Sequence, residues 1–383
     1  MKYIFILGRN IDLSLAELEA HFEKEKNKLE IRKVIKNSCL AELENPIKPN
    51  TIEKLGGIIA IAEVLESGET KEIVRNLKNH ELYFGTSNKL TYCIWDFGEE
   101  EDVSEITEYL KERFRKEKLK ATQKRFPATI TLQDESKVAN ISSSLIEEQY
   151  VIFTGEESSH FARLIERCNY EEIERRDMNK PVRREELSIS PRLAKILINL
   201  SGVREGETLI DPFCGVGVIL SEALLQNISV IGIDRDRSAI GGARENLAWF
   251  NFPKQNYVLI NKDSSRAKIS YANGIATEPD LGQILKKIPT ENQAKETLKG
   301  FERLMINVIN NLERDVSGRI AFTSPHIRTI KKRVGCNIER ILKETGYKLI
   351  EGFPIEEFKR NQVVGRQIFV LYPPKSQQNH RNP

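Results

Sequence analysis

The chain has 383 residues, 39% hydrophobic and 30% charged, with a formal net charge of +3. It is too long for one ordinary core, so two or three soluble domains are expected, and the charge is compatible with nucleic acid without demanding it. No apolar run approaches the ~20 residues of a membrane helix; the opening MKYIFILGRN has too short an apolar core for a signal peptide; and five scattered cysteines without a CxxC pair support neither a disulfide framework nor a zinc or other metal site, leaving a reducing cytoplasm as the expected compartment.

Lys2 to Leu7 alternates like a strand, and Leu13, Leu15, Leu18 and Phe22 share one face of a helix. Ile31 to Leu43 and Gly57 to Leu65 follow as strands, with Ile52 to Leu55 in a helix between them, and Lys71 to Leu77 is a second amphipathic helix. This order predicts a small ferredoxin-like α+β domain over residues 1–80.

A second domain is expected over residues 81–160. Leu90 to Trp95 is a strand, and Val103 to Arg125 is a long helix with a basic face. From that face Arg113, Lys116, Lys120, Lys124 and Arg125 are candidates for RNA phosphates. Glu112 and Glu117 interleave with them, and the plain alternative is a solvated helix face. Ala128 to Leu132 and Val151 to Phe153 are strands around a polar helix, Ala139 to Glu148. His160 to Arg184 reads as a connector, helical and then charged, within a boundary of 161–188. Its Arg175, Arg176, Arg183 and Arg184 either hold a phosphate or pair with Glu171, Glu172, Glu185 and Glu186.

From Pro191 a nucleotide-binding α/β domain begins, set at 189–376, before a loose tail over 377–383. Arg192 to Leu200 is a helix. Thr208 to Asp234 then reads strand, glycine loop, helix, strand, carboxylate, the first half of a doubly wound site. Gly215 and Gly217 let the backbone approach a ligand, and Asp234 at a strand end can accept both ribose hydroxyls. Position 220 is Leu, so a dinucleotide fingerprint is incomplete, and no Lys-Ser/Thr follows for a P-loop. Arg237 to Phe250 is a helix. Tyr257 to Ile260, Gly274 to Thr277, Arg319 to Thr323, Tyr347 to Glu351 and Gln367 to Leu371 supply strands three to seven. Asn292 to Leu312 and Ile327 to Glu344 are the helices between them. Asp263, just past the third strand, is a candidate for an adenine amino group or else a turn or cap. His326 either caps a helix or faces substrate.

DPFCGVGVILSEAL resembles the first motif of S-adenosylmethionine-dependent amino-methyltransferases of RNA and DNA. FILGRNIDLSLAELEA and the 82–155 segment resemble the N-terminal and THUMP modules of tRNA guanine-N2-methyltransferases of the guanosine-10 type. Arg176, Asp177, Pro181 and Arg183 match that family's connector, and VGRQIFVLYP resembles its last, antiparallel strand. The resemblance implies a Rossmann-like class I methyltransferase domain behind two α+β domains, S-adenosyl-L-methionine as cofactor and tRNA as partner, with a monomer as the default. Asp211, Phe213, Cys214, Gly215 and Gly217 would line the methionine end, Asp234 the ribose and Asp263 the adenine. Cys214 is ordinary for this loop and is not read as a nucleophile.

That family carries [DN]-P-P-[FYW] after the fourth strand, where a side-chain oxygen and a proline carbonyl accept the hydrogens of an exocyclic amine and a ring stacks on the base. Here Glu278, Pro279, Asp280 and Leu281 stand at those positions. An acceptor and the first proline carbonyl are kept, while the ring, worth ~1–3 kcal/mol per stacked base, is lost. Three readings follow: a variant amine clamp acting on guanine N2, methylation of another nucleic-acid amine, or an RNA-binding protein with a degenerate site.

Overall fold

The structure is a computed structural model that describes residues 1–98, 100–124, 128–132, 137–140, 146–155, 158–184, 189–279, 288–359 and 361–374. It divides into two compact units. The first comprises Met1–Leu15, Lys26–Glu53 and Gly57–Cys168; the second comprises Ala16–Glu25, Lys54–Gly56 and Asn169 onward.

In chain order the elements up to Arg167 are β1 (Lys2–Leu7), α1 (Ile11–Lys24), β2 (Leu29–Ile35), β3 (Ser38–Leu43), α2 (Thr51–Lys54), β4 (Ile58–Gly68), α3 (Thr70–Asn76), β5 (Lys89–Phe97), α4 (Glu100–Lys116), β6 (Lys120–Gln123), β7 (Ala128–Thr131), β8 (Lys137–Asn140), β9 (Glu148–Thr154) and β10 (Ser159–Arg167). Eight of these strands form one sheet in the order β2-β3-β1-β4-β10-β9-β5-β6, and β7 pairs β8 separately. Strands from residues 1–80 fill one half and strands from beyond residue 81 the other, joined where β4 pairs β10 antiparallel. The core under the second half comprises Leu90, Tyr92, Tyr150 and Phe161 from the sheet with Ile106, Leu110 and Phe114 from α4.

Three expectations are corrected in this unit. The long basic helix ends at Lys116. Lys118 adopts a left-handed backbone with φ of 61°, and the Leu119 N–H donates to Phe114 O at 2.9 Å, a C-terminal stop of the Schellman type. Residues beyond it pair in parallel with β5, because Leu119 and Ala121 pack on the core and the strand edge needs a partner. The polar helix at Ala139 to Glu148 is not formed at either end: Lys137–Asn140 is a strand paired with β7, and Glu148 opens β9, where Arg163 takes its carboxylate through two hydrogen bonds. Residues 141–145 lie outside the described residues. The connector starts later than expected, since His160 to Arg167 is strand β10, ladder-bonded to β4 and β9.

The second unit continues with α5 (Tyr170–Asn179), α6 (Pro191–Leu200), β11 (Thr208–Asp211), α7 (Val218–Leu224), β12 (Ser229–Asp234), α8 (Arg237–Trp249), β13 (Tyr257–Asn261), β14 (Gly274–Thr277), α9 (Glu291–Leu312), β15 (Ile320–Arg328), β16 (Arg333–Val334), α10 (Ile338–Thr345), β17 (Lys348–Leu349), β18 (Ile355–Glu357) and β19 (Val364–Tyr372). The sheet order is β13-β12-β11-β14-β15-β19-β17, with β16 on β15 and β18 on β19. β11 to β15 run parallel and β19 runs antiparallel to β15 and β17. This is the doubly wound sheet with a reversed last strand that the sequence predicts. Ser190 caps α6 ahead of Pro191, accepting from Leu193 N, and Thr290 with Gln293 forms a capping box on α9. Ile210, Ile275, Phe322 and Phe369 from the sheet meet Phe301, Met305 and Ile309 of α9 in its core.

The helix predicted over Ile327 to Glu344 is shorter, Ile338–Thr345. Ile327 and Arg328 extend β15, pairing with Val364 on one side and with Val334 and Arg333 on the other. The helix starts where Asn337 accepts from Arg340 N and ends at left-handed Gly346.

Candidate active site

The site lies at the carboxyl ends of β11, β12 and β14, where open α/β sheets bind their ligands. β11 ends on Asp211, which is buried, and its Oδ1 accepts from Phe213 N at 3.1 Å and Thr277 Oγ1 at 2.6 Å. These bonds tie the first strand's end to the fourth's. Burial pushes the Asp211 carboxyl up to about 7, against the opposing pull of both hydrogen bonds, with Asp234 and Glu278 adding to the rise.

The loop after Asp211 turns on Gly215 (φ 51°) and Gly217 (φ 86°), the second serving as N-cap of α7. A Cβ placed at Gly215 would meet nothing within 4 Å, so open space lies over the loop. Asp234 holds the loop from the next strand: Oδ2 accepts from Gly215 N at 2.9 Å and Oδ1 from Asp236 N at 2.8 Å. Each oxygen keeps a further acceptor site, and the residue is half-buried. Asn261 Nδ2 fixes the backbone there, donating to Asp234 O and Arg235 O. Cys214 is buried, and burial first and the nearby Asp211 and Asp234 second push its thiol far up, which removes it as a nucleophile. Phe213 is half-buried against the sheet core.

The missing third glycine has a counterpart on the neighbouring strand. Leu220 occupies its place on α7, and the close approach comes at Gly232 of β12, where a Cβ would sit 2.5 Å from Leu220 Cδ1 and 3.1 Å from Cys214 Sγ. Asp263 is exposed and closes a turn, its Oδ1 accepting from Ser265 N at 2.9 Å and Ser265 Oγ at 2.7 Å. Those bonds hold its carboxyl below the usual range.

β14 delivers Glu278 and Pro279; Asp280 and Leu281 lie outside the described residues. Glu278 is nearly buried, with 8% of its side chain exposed. Its Oε1 accepts from Thr323 Oγ1 at 3.2 Å and from Arg366 Nε, and its Oε2 from Arg366 Nη2 at 3.3 Å. Thr323 is a site residue that the sequence does not announce, and Arg366, which the sequence places with Lys359 and Arg360 ahead of the last strand as either lining the RNA side or simply exposed, is instead turned onto Glu278. The pattern VGRQIFVLY contains the signal for Arg366, a lone cation inside an apolar strand.

The connector docks on the same loop. Arg176 reaches Glu222 of α7 at 3.4 Å, with Lys195 3.9 Å from the other oxygen. Asn246 donates to Val216 O at 2.9 Å and Val182 O at 3.0 Å and accepts from Val182 N. Arg175 pairs with Glu172, and Arg184 with Asp236 and Ser238; Arg183 is half-buried. Of the open alternatives for these arginines, pairing with carboxylates is what Arg175, Arg176 and Arg184 do, though Arg176 and Arg184 choose partners in α7 and at the start of α8. In the first unit Arg113 pairs with Glu117 and donates to Leu77 O and His80 O. Lys116 lies 3.7 Å from Glu112, Lys120 and Lys124 are exposed, and Arg125 lies outside the described residues. His326 lies in β15, its ring 3.6 Å from Glu356 and edge-on to Phe358, so it caps no helix.

Sheet order, glycine loop and paired acids define a class I methyltransferase domain, a class whose methyl donor is S-adenosylmethionine. Residues 179–273 match the family model of the RMKL-like methyltransferase domain. The chain is related to tRNA (guanine(10)-N2)-dimethyltransferases: it is 32% identical over 140 residues to that of Methanothermobacter thermautotrophicus, covering 36% of this chain and 39% of the relative. The enzyme of the same name from Methanocaldococcus jannaschii is 32% identical over 115 residues, 28% of this chain and 33% of the relative. The matched stretches thus span well under half the length of these relatives. Over its length the fold is similar to TrmN from Thermus thermophilus, with a TM-score of 0.51 at 15% identity, covering 98% of this chain and 100% of that one. Among the described residues no helix is long and apolar enough to cross a membrane.

Proposed function

We propose that the protein is an S-adenosylmethionine-dependent RNA methyltransferase acting on the exocyclic N2 of a guanine in tRNA, in the cytoplasm and as a monomer. The observation that carries this reading is the Glu278-Pro279 pair at the end of β14, held by Thr323 and Arg366 next to the glycine loop. The names of the relatives and the α+β unit ahead of the domain support it, that unit being read as a ferredoxin-like domain followed by a THUMP-like RNA-binding one.

Bound S-adenosylmethionine supplies a methyl group on a positively charged sulfur. The open space over Gly215 receives the methionine end, Asp234 accepts from the ribose, and Asp263 serves the adenine. An exocyclic amine is a weak nucleophile because its lone pair is delocalised into the base. Glu278 and the Pro279 carbonyl accept its hydrogens, which localises the lone pair and aims it. Arg366 holds Glu278 in place through two hydrogen bonds, so catalysis is chiefly orientation and electrostatics. Glu278 Oε2, which takes Arg366 Nη2, keeps a further acceptor site for the amine.

The pairing of Glu278 favours a second reading, an RNA-binding protein without turnover, in which Arg366 permanently occupies the acceptor. Incubation with radiolabelled S-adenosylmethionine and unmodified tRNA, followed by digestion to nucleosides, separates the two. Label in N2-methylguanosine that disappears in Glu278→Ala is expected; tight cofactor and tRNA binding without label would leave the binding protein.

A further inference from the structure

β15 does not stop at the catalytic edge. Its register places Thr277, the last residue of β14, opposite Phe322, and the strand continues to Arg328. Six further residues at about 3.3 Å each carry it roughly 20 Å beyond that level. Thr323, the first of them, touches Glu278, so the extension leaves directly from the site.

At its end the chain reverses. Arg328 pairs with Arg333 and Ile327 with Val334. The Thr329 N–H donates to Lys332 O at 2.8 Å, and Lys332 N donates back to Thr329 Oγ1 at 3.2 Å, closing a four-residue turn. Arg333 anchors the return strand by donating to His326 O at 3.0 Å and by stacking over Phe358 at 4.0 Å. The hairpin is therefore a fixed structure.

Its tip carries an unusual combination. Ile330 is 84% exposed, more than any other described large apolar side chain. Lys331 and Lys332 beside it are exposed, and the hairpin sequence RTIKKR contains four cations and no acid. The acidic neighbours are few: Glu291 lies 3.8 Å from Lys332 while pairing more closely with Lys295, and Glu356 faces His326 lower on the strand. A bare isoleucine ringed by cations suits a polyanion with apolar faces between its charges, which is the description of a nucleic acid.

We infer that the hairpin Arg328–Arg333 is an RNA-contact element of the catalytic domain: Lys331 and Lys332 neutralise phosphates flanking the target nucleotide, and Ile330 packs on the base next to it. This rests on the reading of the site as an RNA methyltransferase. A base must leave its stack to reach an enzyme's acceptor groups, and an apolar wedge beside the site holds the gap or the neighbouring base.

The test is binding of an unmodified tRNA transcript by the full chain over a series of salt concentrations, with Lys331→Ala/Lys332→Ala and Ile330→Ala. The lysine variant is expected to lose about two units of the log–log salt slope. The isoleucine variant is expected to weaken binding several-fold at unchanged slope, since it carries no charge. Cofactor affinity and melting temperature, both expected unchanged, show that the variants fold. If the unsubstituted chain binds and methylates tRNA while both variants bind it with the same affinity and slope, this inference is overturned and the function stands. If the unsubstituted chain neither binds nor methylates tRNA, both fall.

Discussion

Glu278, just past the end of β14, and Arg366 on β19, 88 residues apart in sequence, form a two-point ion pair at the mouth of the site. The glutamate side chain is 8% exposed and the arginine's 22%. An acid so enclosed needs its partner: breaking a buried pair by removing one member costs about 3–5 kcal/mol, while exposed pairs contribute little. This pair lies between, nearer the buried limit. Arg366→Ala is therefore expected to destabilise the domain by roughly 2–3 kcal/mol. It is also expected to lower kcat for methyl transfer by about 10²-fold, the scale of losing one electrostatic contributor. Arg366→Lys keeps charge without the planar fork and should fall between. Single-turnover methylation beside calorimetric cofactor affinity checks this; cofactor affinity reduced as much as turnover would place Arg366 in the cofactor site instead.

Asp234 has two roles that a single substitution separates poorly. It fixes Gly215 N and Asp236 N, and under the proposed function it accepts from the ribose. Asp234→Ala should reduce S-adenosylmethionine affinity by roughly 10- to 100-fold, the equivalent of one charged hydrogen bond at about 1.5–3 kcal/mol. Asp234→Asn keeps one acceptor oxygen and should lose less. Titration calorimetry gives both values; full affinity in the alanine variant would remove Asp234 from the cofactor site.

The close contact between Gly232 and Leu220 gives a packing prediction. Gly232→Ala places a Cβ against Leu220 Cδ1, Cys214 Sγ and Leu259 Cδ2, at 2.5, 3.1 and 3.1 Å. Overpacking of this kind costs typically about 1–3 kcal/mol. Leu220→Ala in the same chain opens that space, so the double variant should be more stable than the sum of the single effects predicts. Chemical denaturation of the four species measures the coupling, and simple additivity would show that the loop relaxes freely.

Much of this site is legible in the sequence because its signals are local. Strand, glycine loop, helix and terminal acid occupy 27 consecutive residues, Thr208 to Asp234, and each element follows from periodicity and glycine placement. What escapes is long-range. Arg366 reads as one polar residue in an edge-like strand until the fold lays β19 beside β15. Lys118 gives no glycine signal for the helix stop that turns the basic stretch into β6. His160 to Arg167 resembles a charged connector because the strand's burial depends on β4 and β9, far away in sequence. At the start of the helical pattern across Ile327 to Glu344, Ile327 and Arg328 are likewise drawn into strand by pairing with β19 and β16, while its end forms α10.

Asp211 supplies a pH prediction with a definite sign. Its carboxyl is raised from an ordinary 3.8 to about 7, chiefly by burial. The folded state therefore holds this proton more tightly than the unfolded chain does. Its favourable contribution is complete below the unfolded value and is lost as pH rises through the folded one, a window from about pH 4 to about pH 7. The limiting slope is about 1.4 kcal/mol per pH unit for a single group. Asp211→Asn mimics the neutral acid, keeps an acceptor for Phe213 N and Thr277 Oγ1, and has no proton to lose. The variant should thus gain stability relative to the unsubstituted chain as pH is raised from 5 to 8, with little difference near pH 4. Melting temperatures at those three pH values decide it. A gap that stays constant, or that widens toward acid, would mean that Asp211 remains ionised in the fold, held by Thr277 and Phe213 more strongly than burial opposes it.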